Sequence, residues 1–157
     1  MVELDSLPIA SSKKRVTAFV IDDLMVAFLF LIIFYDQLAA IVAPATSGVM
    51  STTDMNLIES QLSQFSVDNL FIMLSIKILY HTIPVWQNGI TLGKYLMKIQ
   101  VINVNDGYKP SLMQALLRAV LRITSEVFFY LGFLMALFMP FKQTFHDKFS
   151  SCVVVDA

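Results

Sequence analysis

One run of sequence constrains this chain more than any other. From Val16 to Tyr35 the residues are apolar almost without interruption, and Lys13, Lys14 and Arg15 stand immediately before them. Roughly 20 apolar residues in a helix cross a hydrocarbon core. The run is broken only by the adjacent carboxylates Asp22 and Asp23, about a third of the way in. A cleaved signal sequence has an uninterrupted apolar region of roughly 7–15 residues. This run is longer and holds two aspartates, so it reads as a retained helix, although "AAIVAPA" offers small residues downstream.

Composition points the same way. Of 157 residues, 57% are hydrophobic and 15% charged, with a mean hydropathy of +0.70. Soluble domains carry roughly 45–50% apolar and about 25% charged residues. The length suits one domain, and the net charge of -1 offers no basic face to nucleic acid. Cys152 is the only cysteine, which excludes an intrachain disulfide and a cysteine-based metal site. The 13 Phe and 9 Met read as lipid-facing or packing residues.

Val67 to Trp86 is a second span, with Lys77 and His81 inside it. Leu112 to Phe141 is a third apolar region, charged only in its first half at Arg118, Arg122 and Glu126. Residues 36–69 contain no Lys or Arg, whereas Lys94, Lys98 and Lys109 follow the second span and Lys142 and Lys148 the last apolar region. The positive-inside rule then places both termini and 88–110 in the cytoplasm and 36–69 outside. An even number of crossings follows, so 111–141 is expected to enter and leave as a re-entrant or short helical pair. A single long crossing with an external C-terminus is the alternative. The expected fold is an all-α membrane bundle: a flexible 1–12, a first span over 16–43, an external loop over 44–66, a second span over 67–87, a cytoplasmic β-hairpin segment over 88–110, the helical pair over 111–141 and a cytoplasmic tail over 142–157.

The hairpin expectation rests on β-branched Ile99, Val101, Ile102 and Val104, followed by the turn signal Asn105-Asp106-Gly107. The tail "CVVVDA" either pairs with this ribbon or frays. "GITLGK" fails the phosphate-loop pattern at both ends, with Asn88 and Tyr95 where Gly and Ser or Thr are needed. Gly89 and Gly93 read as turn residues at the membrane surface, with Lys94 and Lys98 facing headgroups.

Three ordered pieces, "RVTAFVID", "GITLGKYLMKIQVINVNDG" and "HDKFSSCVVV", together resemble the RDD family of bacterial integral membrane proteins. The resemblance runs from about Arg15 to the C-terminus and maps the family's arginine and two aspartates onto Arg15, Asp22 and Asp147. Ser151 and Cys152 stand where similar members usually carry Gly and Thr, and Asp23 doubles the helix carboxylate. The resemblance implies a protein of the bacterial inner membrane. It also implies a possible link to cation/proton antiport, a property of some members.

Ionised groups inside a bilayer are costly and normally face partners or water. By depth, Asp22 is expected to meet Lys77 or His81, which share a helix face at i, i+4, or the second basic pair Arg118 and Arg122. Arg15 is expected at the headgroups or on Asp147. The candidates are therefore Arg15, Asp22, Asp23, Lys77, His81, Arg118, Arg122 and Asp147. No catalytic, metal or cofactor site is expected, and His146-Asp147 reads as a local link to the ribbon. Two functions fit: a small cation/proton transporter working as a homo-oligomer in the bilayer, or a non-transporting assembly or scaffold module whose buried charges form a structural lock. An enzyme is disfavoured.

Overall fold

The computed structural model describes residues 7–46, 51–127, 139 and 141–157. It is mostly helical, with one small sheet. The helices are α1 (Ser12–Ile33), α2 (Tyr35–Val42), α3 (Thr52–Asp68), α4 (Leu70–Asn88), α5 (Leu92–Leu96), α6 (Leu112–Val127) and α7 (Phe145–Phe149). The strands are β1 (Ile99–Asn103) and β2 (Cys152–Asp156). Two compact units form: Met1–Leu24 with Lys77–Ala157, and Met25–Ile76.

In the first unit β1 and β2 pair antiparallel, with Ile99 opposite Asp156, Val101 opposite Val154 and Asn103 opposite Cys152. Side chains alternate between the two faces of a strand, and both faces here are apolar. Ile99, Val101, Cys152 and Val154 pack with Ala10, Ala18, Val85 and Ala115. Ile102, Val153 and Val155 pack on the opposite side with Leu7, Ile9, Val104 and Phe141. The chain turns where the sequence predicts: the Gly107 N–H donates to the Asn103 carbonyl at 2.9 Å, and Gly107 adopts φ 76°. No second hairpin strand follows, which corrects the expected hairpin. Pro110 has no N–H for a ladder, and Ser111 already starts α6, exchanging hydrogen bonds with Gln114 in a capping box. The tail supplies the partner strand instead, with Val153 to Val155 paired along β1.

The 1–12 stretch, expected to be flexible, is pinned at its described end. Ile9 bridges Val155, and the Ala10 N–H donates to the Val154 carbonyl at 3.1 Å. In the second unit, the span expected as one helix over 16–43 bends at Phe34 into α2. Buried Phe34 meets Phe65 edge to face at a 5.3 Å centroid distance. The expected external loop over 44–66 is largely helix, the 3-10 turn Ala43–Thr46 followed by α3. Ser51 and Asp54 form a capping box that starts α3. Residues 128–138 and 140, on which the helical pair over 111–141 depends, lie outside the described residues.

The helices are turned inside out relative to those of a soluble domain. On α1, Ala18 and Asp22 are buried, while Val16, Val20, Leu24 and Phe28 are exposed. On α6 the buried face carries Ala115, Arg118, Ala119, Arg122 and Ser125, and the exposed face carries Met113, Leu116, Leu117 and Val120. On α4, Phe71 is 82% exposed while His81 and Thr82 are buried. Polar groups face inward and apolar groups outward, the arrangement a lipid solvent selects. By length and composition α1 and α4 can cross a membrane. At 1.5 Å per residue their 22 and 19 residues extend about 33 and 28 Å.

Candidate functional site

Asp22 is fully buried and collects four donors. Tyr80 Oη donates to Oδ1 at 3.0 Å, and the Gly93 N–H donates to the same oxygen at 2.9 Å. Thr91 Oγ1 donates to Oδ2 at 2.6 Å, and Lys94 Nζ reaches Oδ2 at 3.4 Å and Thr91 Oγ1 at 3.0 Å. Local sequence explains the geometry. Thr91 is the N-cap of α5, and its hydroxyl makes no cap bond of its own. Asp22 therefore does the capping from α1, accepting one of the helix-terminal N–H groups that lack an intrahelical partner. Gly93 makes this possible, because a Cβ there would lie 2.2 Å from the Ala18 carbonyl oxygen and 2.9 Å from Asp22 Oδ1.

Asp147 is the second buried carboxylate. Arg118 donates to its Oδ1 through Nε at 2.8 Å and Nη2 at 2.7 Å, and Arg15 Nη1 lies 3.6 Å from Oδ2. The Thr144 N–H donates to Oδ2 at 3.3 Å, which starts α7. Arg15 also donates to the carbonyls of Lys142 at 2.5 Å and Val154 at 2.7 Å, tying the start of α1 to β2. Burial opposes ionisation of Asp147, but Arg118, His146 and Arg15 outweigh it and hold its carboxyl well below the usual carboxylate range. Burial pushes the neighbouring His146 down to about 3, with Asp147 pulling the other way, so His146 is neutral near pH 7.

Asp23 belongs to a third group. Arg122 Nη2 donates to Asp23 Oδ1 at 3.0 Å, and Arg122 Nε donates to Glu126 Oε1 at 3.2 Å. Lys77 pairs with the other Glu126 oxygen, and the Arg122 guanidinium lies over the Phe19 ring at 4.5 Å. The Asp23 side chain is 29% exposed and pairs with a different helix from those that hold Asp22.

The candidates are thus brought together, but with different partners from those expected for Asp22. Its ion pair comes from Lys94, which the sequence had assigned to headgroups. Lys77 goes to Glu126, Arg118 to Asp147, and Arg122 to Asp23 and Glu126. His81 is buried, packs edge-on against Tyr80 at 5.0 Å, and its Nε2 makes no hydrogen bond among the described residues. The reason is steric: Gly93 lets α5 approach α1 closely enough to fill the Asp22 coordination sphere. Arg15 does reach Asp147. The residues that sequence reasoning missed are Tyr80, Thr91, Gly93, Lys94 and Glu126. A signal existed for three of them. Thr91, Gly93 and Lys94 open a helix straight after a span, and a helix start is a ready anion site.

A cavity of about 280 Å³ lies within the first unit. Arg15, Lys94, Arg118, Arg122, His146 and Asp147 line it. Burial brings the Lys94 ammonium down to about 8, against the pull of Asp22, with Arg118 and Arg122 adding to the fall. Among the described residues, no group of three or more His, Cys, Asp or Glu side chains could hold a metal ion.

No curated protein and no solved structure matches the chain. The sequence model of the RDD family matches residues 9–151, a stretch that holds Arg15, Asp22, Gly93 and Asp147. Two helices of membrane-crossing length accompany that match, and the chain belongs to the RDD family.

Proposed function

We propose that the chain is a multi-pass protein of the bacterial cytoplasmic membrane, with both termini on the cytoplasmic side. Its buried charges lock helix ends to the β1–β2 ribbon. In this reading it is a non-transporting module that assembles or holds partners, working as a homo-oligomer and carrying no catalytic step. One observation carries the reading: Asp22 has no exposure and is saturated by Tyr80, Thr91, Gly93 and Lys94. A carboxylate that must exchange a cation for a proton needs a path for water, and a fully paired one serves better as a fixed joint.

A second reading, cation/proton exchange, is favoured by Lys94. It pairs with Asp22, lines the cavity, and titrates at about 8. A Lys–Asp pair of that kind can release a proton as a cation takes its place. Exchange assays in proteoliposomes separate the two. Under the lock reading, neither the native protein nor Lys94→Gln exchanges cations for protons, and the variant loses thermal stability. Exchange by the native protein, abolished in a Lys94→Gln protein that remains folded, establishes the transport reading instead.

A further inference from the structure

The charges around the cavity do not balance, and the imbalance is local. Asp22 pairs with Lys94. Asp23 and Glu126 pair with Arg122 and Lys77. Asp147 alone is shared by two guanidiniums, those of Arg15 and Arg118. With His146 neutral, that corner carries one positive charge beyond Asp147, because the next carboxylate acting on Arg15, Asp156, is already paired with Lys14. The Nε of Arg15 is buried and makes no hydrogen bond among the described residues. An unmatched buried donor and an unmatched charge are both costly, and both lie on the wall of the same cavity.

Apart from Ser12 and Thr144, the rest of the lining is apolar. Val16, Ala18, Phe19, Ile99 and Val154 contribute to it. Val16 is also 60% exposed on the outer face of α1, beside exposed Val20. The α1 residues that line the cavity run from Ser12 to Phe19, which is about 10 Å of helix at its charged end. At the end of a membrane-crossing helix, this is the depth of lipid headgroups.

We propose that this cavity takes the phosphodiester headgroup of an anionic phospholipid. The single negative charge of the phosphodiester matches the single excess cation at Asp147. With the Arg15 Nη atoms on backbone carbonyls and Arg118 Nε and Nη2 on Asp147, the Arg15 Nε–H and the Arg118 Nη1 group are the donors left for phosphate oxygens. The cavity volume suits a headgroup, and the acyl chains leave past Val16 and Val20 into the bilayer. This site is independent of whether the Asp22 centre is a lock or a relay.

The test is lipid retention by the full-length protein, delipidated in neutral detergent and examined by native mass spectrometry. Equal amounts of phosphatidylglycerol and phosphatidylcholine are offered. Phosphatidylglycerol is expected to be retained about tenfold more tightly, a difference typical of one good charged contact. Val16→Trp blocks the mouth without altering a charge, and is expected to abolish that preference while leaving the melting temperature of the lipid-free protein unchanged. Arg15→Gln is expected to abolish it too; if that variant does not fold, Val16→Trp decides alone. Millimolar inorganic phosphate is expected to leave the bound lipid in place. Equal retention of the two lipids, unchanged binding by Val16→Trp, or displacement of the lipid by inorganic phosphate would each overturn the proposal, the last by reassigning the cavity to a free anion.

Discussion

Asp22 and Asp23 are neighbours in sequence, yet they sit about 100° apart around α1 and meet different environments. Asp22 is buried under four donors, whereas Asp23 is partly exposed and shares Arg122 with Glu126. Removing one side of a buried ion pair costs roughly 3–5 kcal/mol, because the other charge is left without a partner. Asp22→Ala is therefore expected to destabilise the protein by about that much and Asp23→Ala by clearly less, read as melting temperatures in detergent. Since the stranded charge is Lys94, Asp22→Asn combined with Lys94→Met is expected to recover much of the loss, a coupling that a double-mutant cycle measures. Ser151 offers a change in the opposite direction. It adopts φ 54°, a left-handed conformation that costs a non-glycine residue about 1 kcal/mol. Ser151→Gly is expected to raise stability by up to about 1 kcal/mol, and a lower melting temperature would contradict the strain argument.

Among the elements, α1 is the hub. Asp22 ties it to α4 and α5, Asp23 to α6, and Arg15 to α7 and β2. The short α7 depends on Asp147, which serves at once as helix-start acceptor and as ion partner of Arg118 and Arg15. Its pKa is depressed in the folded state, so the unfolded state binds its proton first as pH falls. The stabilisation from this group is then complete above the ordinary carboxylate value of about 4, and is lost as pH drops towards the lower folded value. Melting temperatures are expected to fall steeply below about pH 4, and Asp147→Asn is expected to flatten that acid limb. An acid limb of the same steepness in the variant would assign it to other carboxylates.

For the whole molecule, the proposed orientation decides which segments a reagent outside the cell can reach. The free Cys152 is fully buried, and burial raises its thiol above the ordinary value. It is expected to stay unreactive from either side while the protein is folded. Single cysteines at exposed positions are therefore the useful reporters. A membrane-impermeant maleimide is expected to label Thr52→Cys in sealed cells and Tyr108→Cys only after permeabilisation. Labelling of both from outside would refute the orientation read from the Lys and Arg asymmetry.

The sequence by itself pointed to the two apolar helices, the turn at Asn105–Gly107 and the Val153–Val155 strand, and offered Asp147 as one of two places for Arg15. Each of these follows from local chemistry: apolar length, turn residues, β-branched alternation, or an ordered family motif. It did not determine the partner of Asp22, because side chains were matched by depth along helices. The short helix that reaches Asp22 begins after the second span, and only the absence of a Cβ at Gly93 lets it close on Ala18. It named the tail as one partner for this ribbon, but not that the tail would be β1's sole strand partner among the described residues, a pairing of residues about fifty positions apart. Which charge met which carboxylate was decided by backbone approach in three dimensions, a property that spacing along the chain does not carry.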